Sequence, residues 1–259
     1  MDRSRARRIL RQHVLTDQLL GVEAVPLGKA PDSPKSGSVP VQPEAPIDSL
    51  LAKVPPVAGP ALDRGERIRQ LEELDINEVR GCTRCELCRG RTQTVFGEGD
   101  PEARILFIGE GPGQNEDAQG RPFVGRSGDL LNKQIAAMGL QREQVFIGNV
   151  VKCRPPNNRA PTAIEVEACS GYLRRQIQII GPEVIITLGG PAAKLLLNTT
   201  EGITRIRGGW FNYDGLLPDG PVIPVMPTFH PAYLLRAYTT DNRTKVWSDL
   251  QQVMQRLGL

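Results

Sequence analysis

The side chains best suited to chemistry lie in three short segments: GEGPGQNED at Gly109–Asp117, NVVKCR at Asn149–Arg154 and HPAYLLR at His230–Arg236. In the first, Gly111, Pro112 and Gly113 keep the backbone bare and constrained, so a planar ligand could lie close against it. The turn lacks the lysine and hydroxyl of a phosphate-binding loop and is not spaced G-x-G-x-x-G. Glu110, Glu116 and Asp117 would also repel a phosphate. Its carboxylates therefore point to another substrate group, the competing reading being an ordinary surface turn after a core strand. Asn149 offers a donor and an acceptor, the pattern needed to read a pyrimidine edge, unless it only caps a turn. His230 is the sole histidine outside the N-terminal tail. As a neutral imidazole on a loop it could donate to an oxygen that becomes negative during reaction. Phe123, in GRPFVGRSG, reads either as an exposed ring that stacks on a flat base or as core packing.

A second kind of chemistry is carried by Cys82, Cys85, Cys88, Cys153 and Cys169. An odd count without a secretory signal argues for ligation or free thiols rather than a disulfide framework. Thiolates serve zinc and iron-sulfur alike, so spacing alone does not separate the two.

These groups need elements to position them. Ile105–Ile108 is an uninterrupted apolar run suited to a strand buried on both faces, and Val145–Val151, Val184–Leu188, Trp210–Tyr213 and Val222–Pro227 read as further strands. Helical periodicity marks Arg64–Val79, Gly128–Met138, Ala163–Ile180 and Pro191–Leu197, with Tyr233–Leu259 helical apart from a break near Thr239–Asn242. Alternating strands and helices imply a largely parallel sheet covered on both faces, which binds ligands beyond the carboxyl ends of its strands. All three chemical segments lie at such ends.

The 259 residues suffice for one sizeable domain plus appendages, and a net charge of +3 permits contact with a polyanion without demanding it. No run approaches the roughly 18 apolar residues of a membrane span, so a cytoplasmic, nucleoid-associated protein is expected, with no membrane partner. Residues 1–22 form a basic segment of helical periodicity, and residues 23–62 are rich in Pro, Ser, Gly and Ala, as in a flexible linker. The tail could tether the domain at 63–259 to a protein or DNA partner, or be dispensable.

GEGPGQNED, GRPFVG, NVVKCRPPNNRAP and FHPAYLLR, in that order, resemble the type 4 uracil-DNA glycosylases, the iron-sulfur branch of their superfamily; the likeness runs from about Gly81 to Leu257. It implies a three-layer α/β/α fold around a central, mainly parallel four-stranded sheet. It also implies a monomeric DNA repair enzyme that flips uracil out of single- or double-stranded DNA and hydrolyses its N-glycosidic bond. Glu110, Gly111 and Pro112 would line the uracil pocket, Phe123 would stack on the base, and Asn149 would read its polar edge. Glu116 would exclude thymine's methyl group, and His230 would stabilise the uracil O2. Glu110 is the candidate for water or the sugar cation, with Glu116 and Asp117 behind it. The resemblance favours a [4Fe-4S] cluster over zinc on Cys82, Cys85, Cys153 and Cys169 and leaves Cys88 a free thiol. Tyr233, Leu234, Leu235 and Arg236 could probe the minor groove or fill the vacated stack, and Arg121, Arg154, Asn157, Asn158 and Arg159 could meet phosphates. The rival is a non-catalytic iron-sulfur module that binds DNA or a polymerase. A sister glycosylase that captures the abasic sugar through a histidine is disfavoured, because RPPNNRAPTAIE after Cys153 contains none.

Overall fold

The structure, a computed structural model, describes residues 62–214 and 222–259, which belong to one compact unit, Pro60–Leu259. The basic segment 1–22 and all but the last residue of the linker 23–62 lie outside the described residues.

The apolar runs become strands because only the middle of a sheet buries both of their faces. β2 (Ile105–Gly109) and β4 (Val184–Leu188) are buried at every position. β3 (Phe146–Asn149) and β6 (Ile223–Thr228) flank them, giving a parallel centre in the order β3-β2-β4-β6. The expected four-stranded sheet is this centre. Two short antiparallel strands extend it to six, β1 (Glu98–Gly99) on β3 and β5 (Phe211–Tyr213) on β6. β1 is two residues long, too short to leave a periodic trace in the sequence.

Two helical layers cover the sheet. Leu106, Ile108 and Ile185 face one layer, where α1 (Arg64–Leu74), α4 (Ala163–Ile180) and α5 (Gly190–Leu197) contribute Leu74, Leu173, Ile177 and Ala192. Ile105, Phe107, Val184 and Ile186 face the other, packed on α3 (Arg126–Ala137) and α8 (Thr240–Leu257) through Leu131, Ile135, Val246 and Leu250. The longest helices are set by their ends. Thr162 and Glu165 form a capping box at the start of α4, and Gly181 closes it at φ 58°. Thr239 accepts from the Asn242 amide to start α8, so the expected break in the C-terminal helix falls between α7 (Pro231–Arg236) and α8. Arg64–Val79 is α-helical to Leu74 and continues as a π-type turn, Asp75–Val79.

The chain leaves β2 for β3 on one side and reaches β6 from β4 on the other. The direction of winding therefore reverses between β2 and β4, and the carboxyl ends of those strands open into a crevice. Phe107 lies fully buried in the middle of β2. Phe107→Ala should cost about 3–5 kcal/mol, read as a lower urea midpoint at unchanged m-value.

Candidate active site

A cavity of about 710 Å³ occupies this crevice, lined by Glu110–Glu116, Phe123, Asn149, Gly189 and His230 among others. Every residue expected to contact the base therefore lies on one wall or another of a single pocket. The bare end of β2 is what lets the walls meet: a Cβ on Gly109 would lie 2.5 Å from Asn149 Oδ1 and 2.7 Å from the Phe123 ring.

His230 sits between β6 and α7, where its Nδ1 accepts from the Ala232 amide at 3.0 Å. The neutral ring must then carry its proton on Nε2, which makes it a donor. Burial, with help from the Arg236 charge, holds its pKa at about 4 against a weaker upward pull from Glu116. The ring stacks on Phe123 with centroids 5.5 Å apart and an interplanar angle of 29°.

Phe123 is 6% exposed, so of the two readings of its ring the packed one holds: it forms a wall between the end of β2 and His230. Its backbone lies in the left-handed region at φ 50°, unusual for an aromatic residue. Gly128 approaches so closely that a Cβ there would lie 1.8 Å from the Phe123 carbonyl oxygen.

Asn149 ends β3 and is 2% exposed. Its main-chain carbonyl accepts from the buried Lys152 Nζ at 2.9 Å, and the same ammonium reaches Gln176 Oε1 at 2.6 Å. Glu110 follows β2 with its Oε1 buried and unpartnered among the described residues, and burial raises its pKa. Glu116 behaves differently. Its Oε2 accepts from the Gly113 amide at 3.1 Å, and its Oε1 accepts from the Val124 and Gly125 amides at 2.9 and 3.0 Å. Asp117 is 4% exposed and spends both oxygens on the Thr92 amide. It does not line the cavity, which corrects the expectation of a back-up base at this position.

The expected DNA contacts divide. Arg159, Tyr233 and Arg236 line the cavity, Arg159 in a bidentate pair with Glu165 at 2.8 and 2.7 Å. Arg121, paired with Glu98, and Arg154, bonded to Asn158, lie outside its lining. Leu234 is corrected: it is 1% exposed in the core beneath α7 and cannot reach a groove, whereas Tyr233 is 39% exposed. Arg126 and the Gly189 turn also line the cavity and were not singled out from the sequence. The Gly189–Gly190–Pro191 break after a buried strand was the available signal for the second.

All five cysteines are unpaired and line one narrow pocket with Arg84, Arg91, Lys152 and Tyr172. Polar hydrogens are aimed at their sulfurs. Arg91 Nη1 lies 3.2 Å from Cys153 Sγ, the Lys152 amide 3.3 Å from Cys169 Sγ, and the Arg84 amide 3.5 Å from Cys82 Sγ. Burial raises Cys85 and Cys153 and pushes Cys169 up to about 11, so these three bare thiols are held neutral. A convergent thiol set with N–H donors on its sulfurs fits a thiolate-bound inorganic group, which would stabilise the ionised forms. No three His, Cys, Asp or Glu side chains among the described residues are arranged to hold a single metal ion.

The chain is thus an α/β/α sandwich with a cavity of about 710 Å³ at its switch point and a second pocket lined by all five cysteines. The family model described as Uracil DNA glycosylase superfamily matches residues 96–251. The chain is 45% identical over 184 residues to the type-4 uracil-DNA glycosylase of Thermotoga maritima, covering 71% of this chain and 93% of that protein. To the type-4 enzyme of Sulfurisphaera tokodaii it is 46% identical over 183 residues, 69% of this chain and 81% of the other. A type-5 uracil-DNA glycosylase of Pyrobaculum aerophilum is 30% identical over 151 residues, 52% of this chain and 64% of that protein. The chain belongs to the uracil-DNA glycosylase superfamily and, within it, to the type-4 family.

His230 also sets a pH dependence. Its pKa is about 4 in the fold and 6.5 in the reference state, so the unfolded chain binds the proton more readily. The stability it permits is complete above pH 6.5 and is lost as pH falls from 6.5 toward 4. The slope from this one group is at most about 1.4 kcal/mol per pH unit. Denaturant titrations across that window should show a shallower decline in His230→Gln than in wild type.

Proposed function

We infer that the protein excises uracil from DNA, leaving an abasic site and free uracil. One observation carries this reading: a neutral imidazole with Nε2–H free to donate faces the same slot as Asn149, Glu110 and Phe123. A duplex hides the glycosidic bond, so the nucleotide must be flipped into the slot, at least cost when uracil is mispaired or the strand is single. Phe123 then supports the face of the ring and Asn149 pairs with its polar edge. Glu116, pinned by three amides, cannot swing aside to admit a methyl group at C5, which disfavours thymine.

As the bond to the sugar breaks, its electron pair leaves with the base and negative charge grows on O2, opposite the His230 donor. A donor that strengthens mainly in the transition state raises the rate rather than the affinity. Water adds its oxygen at C1′, and its proton is taken up by the departing base or by solvent. Glu110, half desolvated and with one free oxygen, is the group placed to orient that water or to oppose the sugar's positive charge. Arg159, Arg236, Arg126 and Tyr233 at the mouth would meet the flanking strand. Retention of Glu110, Asn149 and His230 in one slot argues against a non-catalytic module.

Cys82, Cys85, Cys153 and Cys169 would hold a [4Fe-4S] cluster, with Cys88 left as a free thiol. When bound, the cluster would supply a cross-link between the start of the domain and α4. Such a protein works on the chromosome in the cytoplasm.

Incubation with matched uracil- and thymine-containing oligonucleotides, followed by alkaline cleavage, should give strand breaks with uracil alone; no uracil-dependent break would overturn the function. His230→Ala should slow single-turnover excision by about 100- to 1000-fold. Glu110→Gln should slow it while leaving DNA affinity nearly unchanged, and wild-type excision in that variant would remove Glu110 from the chemistry. The purified protein should be brown, with iron and acid-labile sulfide. Cys169→Ser should lose the colour and unfold more readily, whereas Cys88→Ser should keep it. A colourless protein containing zinc would reverse the cofactor assignment.

A further inference from the structure

Arg142 does not line the cavity, yet it grips the segment that presents Phe123. Its Nη2 donates to the Pro122 carbonyl at 2.5 Å and its Nη1 to the Phe123 carbonyl at 3.3 Å and to Asn132 Oδ1 at 2.8 Å. Its Nε donates to Glu98 Oε1 at 2.7 Å. The side chain is 13% exposed, so this is a largely desolvated guanidinium with its charge matched by Glu98. On the far side of Phe123 the Glu116 carboxylate holds the Val124 and Gly125 amides. The peptide before Phe123 is thus held through its carbonyl by a cation, and the peptide after it is held from both sides, its carbonyl by that cation and its amide by an anion. Between the two grips the Phe123 backbone is kept at φ 50°, a conformation a non-glycine residue leaves when it is free to do so. The left-handed turn is what aims the ring at His230 rather than away from it.

We propose that Arg142 is a positioning residue for base recognition: it acts through Phe123, holding the ring in the plane against which the extruded base stacks. The assignment rests on the uracil-excising reading above. Glu98 also pairs with Arg121, so removing Arg142 does not leave that carboxylate alone. The fold should therefore survive the substitution.

The test is a double-mutant cycle on Arg142→Gln and Phe123→Ala, reading single-turnover excision and inhibition by free uracil. Stacking on one aromatic ring typically contributes about five- to 100-fold in binding. Arg142→Gln is expected to slow excision and weaken uracil inhibition by about tenfold, part of that range. In the Phe123→Ala background the same change should alter both by less than about twofold, because its only route to the base is gone. Arg142→Lys keeps a cation against Glu98 but cannot span two carbonyls and Asn132, so it should show the same deficit in a protein of near wild-type stability. Excision and inhibition at wild-type levels in Arg142→Lys and Arg142→Gln would overturn the proposal, as would a full tenfold loss persisting without the Phe123 ring. A wild-type protein that releases no uracil would instead overturn the function on which the proposal stands.

Discussion

The hydrogen bond from the Ala232 amide to His230 Nδ1 decides what the pocket can do. That amide belongs to the first turn of α7, so the helix commits one ring nitrogen as acceptor and leaves the other to carry the proton. Burial reinforces this choice, because a charged imidazole would have to be desolvated beside Arg236. A neutral donor suits a reaction in which negative charge appears on the leaving base, since its hydrogen bond strengthens as that charge grows. An imidazolium would bind the ground state more strongly and would cost the fold more to keep. The sheet exists, in functional terms, to deliver this donor opposite Asn149 and Glu110, and the reversal of winding between β2 and β4 opens the room between them.

Much of this was legible in the sequence, for definite reasons. β2, β4 and α4 are uninterrupted or capped signals, and their observed bounds follow the apolar run, the Gly189 break and the Thr162–Glu165 box. That Glu110, Asn149 and His230 would meet at one place was legible because each stands just where a strand ends, a position fixed by topology rather than by side-chain packing. Burial of two residues near the site was not legible. Phe123 stands in a glycine-rich turn and Leu234 between Tyr233 and Leu235 in α7, and only the folded packing shows that both join the core. Glu116 and Asp117 look alike in the sequence and differ in the fold by which amides they meet: those of Gly113, Val124 and Gly125 for one, the Thr92 amide for the other.

The pocket and the thiols share one piece of chain. Asn149 stands at the slot and Cys153 among the cysteines, and the intervening Lys152 touches both places. Its amide lies on Cys169 Sγ, and its side chain runs back through the core to hold the Asn149 carbonyl and Gln176. A lysine fully enclosed by protein is costly unless its ammonium is matched, and burial draws its pKa down to about 8. Two carbonyl oxygens partner it: the end of β3 and Gln176 Oε1 on α4, the latter residue tied in turn to the Phe96 carbonyl. A shorter polar side chain at 152 could not reach the end of β3, and an apolar one would leave the Gln176 oxygen without its donor. The cysteine pocket and the end of β3 that carries Asn149 to the cavity wall are therefore joined through one buried side chain, so a change that displaces Lys152 disturbs both.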